Sequence, residues 1–366
     1  MRFEGLTFRS VTVRAVDVPL RRPVVSKVGL FDHWPVLLID LLTEEGITGR
    51  AYLEPYLKGA ARYIAPAIRD LAAARAGKPV RPIDDFRDGL KSLNLVGNEG
   101  VSMIAVSGLD MAAWDALAKA TGMPLAAFLG GATGEVPAYN SNGLWLTDVG
   151  GLRDEAAALA AEGGFTALKL RLGRARLADD LAAIAAVRAA AGDEVKLMVD
   201  FNQGLTLGDA LRRCHALDRE GLYWFEEPVA YTDLAGHARL TRELATPVQL
   251  GENFYGPRAL AQALAAGAGD LAMPDLMRIG GVTGWLRAAA IAGAAGIEMS
   301  SHLYPEFSAH LLRVTESAHW LEWQDWADPI VAEPFAVAGG RVTVPDRPGA
   351  GLEWNEDAVR RFAYDI

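Results

Sequence analysis

The sequence predicts an α/β protein built around a closed, parallel (β/α) barrel. Three observations predict it. From about residue 135, short apolar runs alternate with alanine-rich helical segments, and such alternation argues a parallel sheet. The units recur at roughly 20–30 residues and are many, which favours ring closure over an open doubly wound sheet. No GxGxxG follows the first strand, which weakens a dinucleotide-binding alternative.

The elements follow in order. RSVTVRAVDVPL alternates like a strand, and PVLLIDLLTEEGITGRAYLE reads as a hairpin pair. Between them, residues 21–35 (RRPVVSKVGLFDHWP) are punctuated by Gly and Pro and read as a mobile loop. ARYIAPAIRDLAAARAG and SGLDMAAWDALAKATG have helical periodicity; Gly122 closes the second, and Pro124 is its stop signal. The barrel strands are TALKLRLG, VKLMVDFNQ, LYWFEEP, PVQLGEN, LAMPDLM, GIEMSSH and HWLEW. ADDLAAIAAVRAAAG and PRALAQALAAG are among the helices between them. The units are therefore 1–130, 131–326 as the barrel, and a 327–366 tail read as a hairpin and turns that return to the N-terminal part.

The 366 residues carry a net charge of −10 and no basic block, so a nucleic-acid partner is not expected. The lone Cys214 excludes an intrachain disulfide and fits a reducing compartment. The N-terminal run lacks a signal peptide's apolar core. No uninterrupted stretch of about 18 apolar residues suggests a membrane span. A cytoplasmic protein is expected.

In a barrel, chemistry sits at the C-terminal ends of the strands. Those ends carry Asp200, Glu226, Glu252, Asp275, His302 and Glu322. The first three are spaced equally, 26 residues apart, about one βα unit. Three convergent carboxylates repel, and a hard divalent cation such as Mg2+ is the natural neutraliser. Asn202 and Glu227 stand beside these ligands as supports. His302 and Asp275 end neighbouring strands. A carboxylate beside an imidazole fixes its tautomer and raises its basicity, as a general base requires. A zinc alternative, His302, Glu306 and His310, is opposed by Pro305, which breaks the helix between the first two. His215 and His237 sit in charged helical segments, and His319 faces away from Glu322. In ALKLRLG, period-two spacing places Lys169 and Arg171 on one face and the leucines on the other.

Taken together, LDMAAWDALAK, VDFNQ, WFEEP, GEN, AMPDLMRIGGVTGW, SSHL and HWLE resemble the enolase superfamily, in its mandelate racemase branch. The resemblance runs over essentially the whole chain. It implies an α+β capping domain, formed by the N-terminal region and the C-terminal tail, over a (β/α)7β modified TIM barrel. It implies Mg2+ on Asp200, Glu226 and Glu252, and removal of the proton α to a carboxylate through an enediolate. Lys169, Glu322 and Ser141 would contact that carboxylate, with His302, paired to Asp275, as base. Homo-oligomers, octamers among them, are implied as well.

The chain departs from mandelate racemase at Arg171, where that enzyme has a second lysine serving as the base on the opposite face. A guanidinium stays protonated in proteins and is a poor base. Arg171 is therefore read as a clamp on the substrate or on a ligand carboxylate, leaving His302 as the one base. One base suits β-elimination, so dehydration of a sugar acid to a 2-keto-3-deoxy acid is the first expectation. Racemisation or epimerisation of a 2-hydroxy acid, lactone cycloisomerisation and non-catalytic carboxylate binding are the alternatives. In the 21–35 region and beyond it, Lys27, Asp32, His33 and Glu54 are available to a polar substrate, while Phe31, Trp34 and Tyr56 favour an apolar one; Lys27, His33 and Tyr56 are the substrate-binding candidates among them.

Overall fold

The computed structural model describes residues 5–366; the first four residues, where the 1–130 unit is expected to begin, lie outside it. The N-terminal part is an antiparallel sheet of β1 (Phe8–Ser26), β2 (Gly29–Thr43) and β3 (Thr48–Leu53). It is backed by α1 (Ala61–Ala73), α2 (Pro82–Leu93) and α3 (Val101–Thr121). The mobile loop expected at 21–35 is instead the far end of a long hairpin. Ser26 pairs with Gly29 across a turn at Lys27 and Val28. Pro23 and Pro35 mislead here: Pro35 pairs in register with Asp17, and Pro23 falls where the ladder slips between Pro19 and Val24.

By length and composition alone α3 could cross a membrane, but most of it is buried inside the protein. Its apolar faces meet the sheet on one side and the barrel on the other. Gly49 of β3 lies against Ala112 and Ala116, where a Cβ would strike the helix backbone at 2.0 Å. Asp110 accepts from Thr283 N at 2.8 Å and so caps the barrel helix Gly281–Ala295. Asp115 accepts from Arg50 N and Ala350 N, both at 2.7 Å. The acids of LDMAAWDALAK thus join cap, barrel and tail.

The barrel runs β4 (Glu135–Asn140), β5 (Ala167–Arg171), β6 (Lys196–Asp200), β7 (Trp224–Glu226), β8 (Val248–Leu250) and β9 (Leu271–Ala272). A further strand follows around Met299, and β10 (Leu321–Trp323) pairs with β4 to close the ring. Every neighbouring pair in the ring is parallel. A helix follows each strand before β10, which gives the (β/α)7β order. Leu168, Leu170 and Leu172 face the helix layer within the main core. Tyr139, Ala167, Met198, Trp224 and Trp320 form a separate apolar cluster.

The 327–366 tail returns to the cap only in part. Its hairpin, β11 (Val337–Ala338) and β12 (Arg341–Thr343), adds to β4 of the barrel. Further on, Trp354 Nε1 donates to Asp40 at 2.7 Å and Ala363 bridges Val16.

Candidate active site

Strand register builds the centre of the site. Arg171 lies beside Asp200, and Asp200 beside Glu226. The residue level with Glu226 on β8 is Gln249, so Glu252 stands beyond that row. Gly251 makes the detour, with φ +136 and its Cα side closed off by the Met273 backbone. Equal spacing in sequence therefore does not mean equal height in the barrel.

All of these groups except Glu252 are almost wholly buried. Lys169 Nζ lies 2.8 Å from Glu226, 2.7 Å from Glu322 and 3.7 Å from Asp200. Burial lowers the ammonium's pKa, but Glu226 and Glu322 outweigh it and the net direction is upward. Glu322 is pushed down to about 2: burial opposes this, and Lys169, then His302, overcome it. Glu226, which also accepts from Trp224 Nε1 at 3.1 Å, is held well above the usual range by burial, with Lys169 opposing. Ser141 Oγ donates to Glu322 at 2.8 Å.

His302 Nδ1 is 2.8 Å from Asp275 Oδ2 and its Nε2 is 3.1 Å from Glu252. The other oxygen of Asp275 accepts from Met277 N and Arg278 N. The carboxylate is thereby fixed, and with it the ring. Asn202 donates to Asp200 from both its backbone N and its Nδ2, at 2.7 and 2.9 Å. Glu227 accepts from Asn253 at 2.8 Å, and burial lifts it to about 8.

Arg171 is immobilised. Its guanidinium stacks 3.9 Å from the Trp145 ring centre, and Nη2 donates to Ser141 Oγ at 2.9 Å. Nη1 donates to the carbonyls of Ser141 and Gly143 at 3.3 and 3.4 Å. Nε stands 3.7 Å from Asp200 without a hydrogen-bond partner.

These groups open into a cavity of about 350 Å³ under the β1–β2 hairpin. Lys169, Arg171, Asp200, Asn202, Glu252, His302 and Tyr56 line it. Lys27 and His33 do not. Lys27 sits in the hairpin turn with its stem over Gly204, and His33 is exposed beside Asp32 at 3.0 Å. Glu306 faces Tyr52 at 2.5 Å and His310 Nδ1 accepts from Ala126 N at 3.1 Å, so neither joins His302. The site also uses residues not singled out in the sequence: Trp145, Gln203, Asn253, Arg278, Gln324 and Trp326. Gln324 was findable, two residues past Glu322 on the same strand face. Trp145 and Trp326 arrive by tertiary folding alone.

Tyr56, Leu144, Asn202, Gln203, Glu227, Leu303 and Tyr304 have positive φ. They all lie at or beside the cavity. Strained backbone of this kind collects at functional sites.

The donor set suits a hard divalent cation: three carboxylates on adjacent units, and Asn202 Oδ1 buried beside Asp200 without a partner. The carboxylates do not yet meet at one point. Among the described residues, no three acidic, histidine or cysteine side chains converge at ligand distance. Their counter-charge comes from Lys169 and His302, and loading a cation requires these contacts to yield.

This fold and site have known counterparts. Residues 8–130 match the family profile of the mandelate racemase / muconate lactonizing enzyme N-terminal domain, and residues 151–358 that of the enolase C-terminal domain-like family. The chain belongs to this enzyme family. A solved enolase from alpha proteobacterium bal199, with bound Mg, is 54% identical, with TM-score 0.97, covering 98% of this chain and 100% of that one. An enolase from Bradyrhizobium, complexed with magnesium and mandelic acid, is 42% identical with TM-score 0.95, and each chain is covered completely. L-talarate/galactarate dehydratase of Salmonella typhimurium is 31% identical over 326 residues, 89% of this chain and 82% of its own.

Proposed function

We propose that the protein is a Mg2+-dependent dehydratase of a 2,3-dihydroxy carboxylate, with His302 as its one base. A single observation carries this reading. Asp275 orients His302 at the cavity, and Arg171 is pinned beneath Trp145. Besides Lys169, already bound to two carboxylates, no other lysine or histidine lines the cavity among the described residues.

Asp200, Glu226 and Glu252 would hold Mg2+, which would supply positive charge to offset the anion that develops as the α-proton leaves. Lys169 adds an ammonium at the substrate carboxylate, and Glu322 with Ser141 fixes the carboxylate's position. His302 Nε2 takes the α-proton. The electron pair then expels the β-hydroxyl, which receives the proton back from the imidazolium and leaves as water. The remaining enol ketonises to a 2-keto acid. Relatives named as dehydratases of talarate or galactarate, arabinonate and galactonate support this chemistry.

Racemisation of a 2-hydroxy acid is the second reading, and the mandelic acid complex of the Bradyrhizobium enolase favours it. Solvent exchange separates the two. With Mg2+ in D2O, deuterium is expected at C2 of one configuration only, and 2,3-dihydroxy acids are expected to lose water to 2-keto acids. Arg171→Lys is expected to add exchange in the opposite configuration. Exchange of both configurations by the natural protein would establish the racemase.

A further inference from the structure

We propose that the group beyond C3 of the substrate is a flat apolar ring, so that the substrate is a 3-aryl-2,3-dihydroxy acid rather than an open-chain sugar acid. This rests on the dehydratase reading for its reaction and on the cavity walls for its ring. The outer wall is aromatic and continuous. Phe31 meets Trp34 at 5.7 Å, Trp34 meets Tyr56 at 5.1 Å and Trp326 at 4.3 Å, and Trp326 meets Trp145 at 6.3 Å. Trp145 in turn covers Arg171. Trp34, Trp145 and Trp326 are almost wholly buried, and the ring edges they turn to the cavity are the parts that receive another ring.

The barrel side of the same cavity is polar, with Asn202, Gln203 and Asn253. The cavity is therefore two-faced. Hydroxyls at C2 and C3 find amide partners near His302. A hydroxyl farther out, set against the tryptophans, loses water without gaining a partner, which weakens binding by about tenfold for each. A ring there buries its whole apolar surface. The hairpin that brings Phe31 and Trp34 over the barrel is tied down where Leu146 N donates to Val25 O at 2.8 Å.

For 3-phenylglycerate the reaction balances. His302 removes the C2 proton, the C3–O bond breaks, one water leaves, and the enol ketonises to phenylpyruvate.

The test is calorimetric titration of the full-length, Mg2+-loaded protein with 3-phenylglycerate and with galactonate, alongside assay of 2-keto acid. The aryl acid is expected to bind about 10- to 100-fold more tightly. Trp34→Leu and the rim variant Phe31→Ser are expected to weaken binding of the aryl acid several-fold more than binding of galactonate. Galactonate binding as tightly as the aryl acid, or variants that weaken both alike, would overturn the ring pocket. Galactonate dehydration with weak aryl binding would overturn it and keep the dehydratase. Tight aryl binding without water loss would keep the ring pocket and overturn the dehydratase.

Discussion

His302→Asn is expected to lower α-proton exchange and turnover by about 10²–10⁴-fold, the usual contribution of a general base. Asparagine keeps a polar group of similar reach but accepts no proton. The loss should fall on kcat, because the carboxylate contacts of Lys169, Glu322 and Ser141 remain. The pH profile of the natural enzyme provides a second check. Burial lowers the His302 pKa, yet Glu252, Glu322 and the Asp275 hydrogen bond raise it well above its ordinary 6.5. A base works only when neutral, so kcat/KM should rise with pH through an acid limb. Mg2+ on Glu252 removes part of the raising charge and should shift that limb downward. A variant that still exchanges at the natural rate would remove His302 from the mechanism.

Lys169→Met is expected to have the other large effect, on both stability and rate. The ammonium serves Glu226 and Glu322 at 2.8 and 2.7 Å, with all three side chains within 1% of complete burial. Removing one partner from a buried ion pair costs about 3–5 kcal/mol, so thermal unfolding without added metal should fall by several degrees. Rate should fall by about 10²–10³-fold, as when a preorganised oxyanion donor is removed. Mg2+ should bind the variant more tightly, since Lys169 no longer competes for the same carboxylates. A variant with unchanged stability and rate would show that Lys169 is a bystander.

The barrel was legible because its signal is local: apolar runs and alanine-rich helices repeat through TALKLRLG, VKLMVDFNQ and LYWFEEP. Strand ends could be read as well, and Asp200 and Glu226 lie side by side as their spacing suggested. Glu252 fits the same interval by coincidence, because Gly251 carries the chain past the register of Gln249. The 21–35 hairpin was misread because its prolines look like loop signals, whereas its pairing and its contact with the barrel are long-range. Lys27 and His33 went wrong with it. The aromatic wall was hidden for the same reason: Phe31, Trp34, Trp145 and Trp326 are scattered in sequence and meet only when the hairpin covers the barrel mouth. Arg171 was informative from residue type alone, since no fold turns a guanidinium into an easy base.

A crystal structure of the protein grown with Mg2+ tests the central claim most directly. One ion is expected among the oxygens of Asp200, Glu226 and Glu252, at about 2.0–2.1 Å, with Lys169 moved off Glu226 and His302 off Glu252. The ion bound elsewhere, with Lys169 still bridging Glu226 and Glu322, would contradict it.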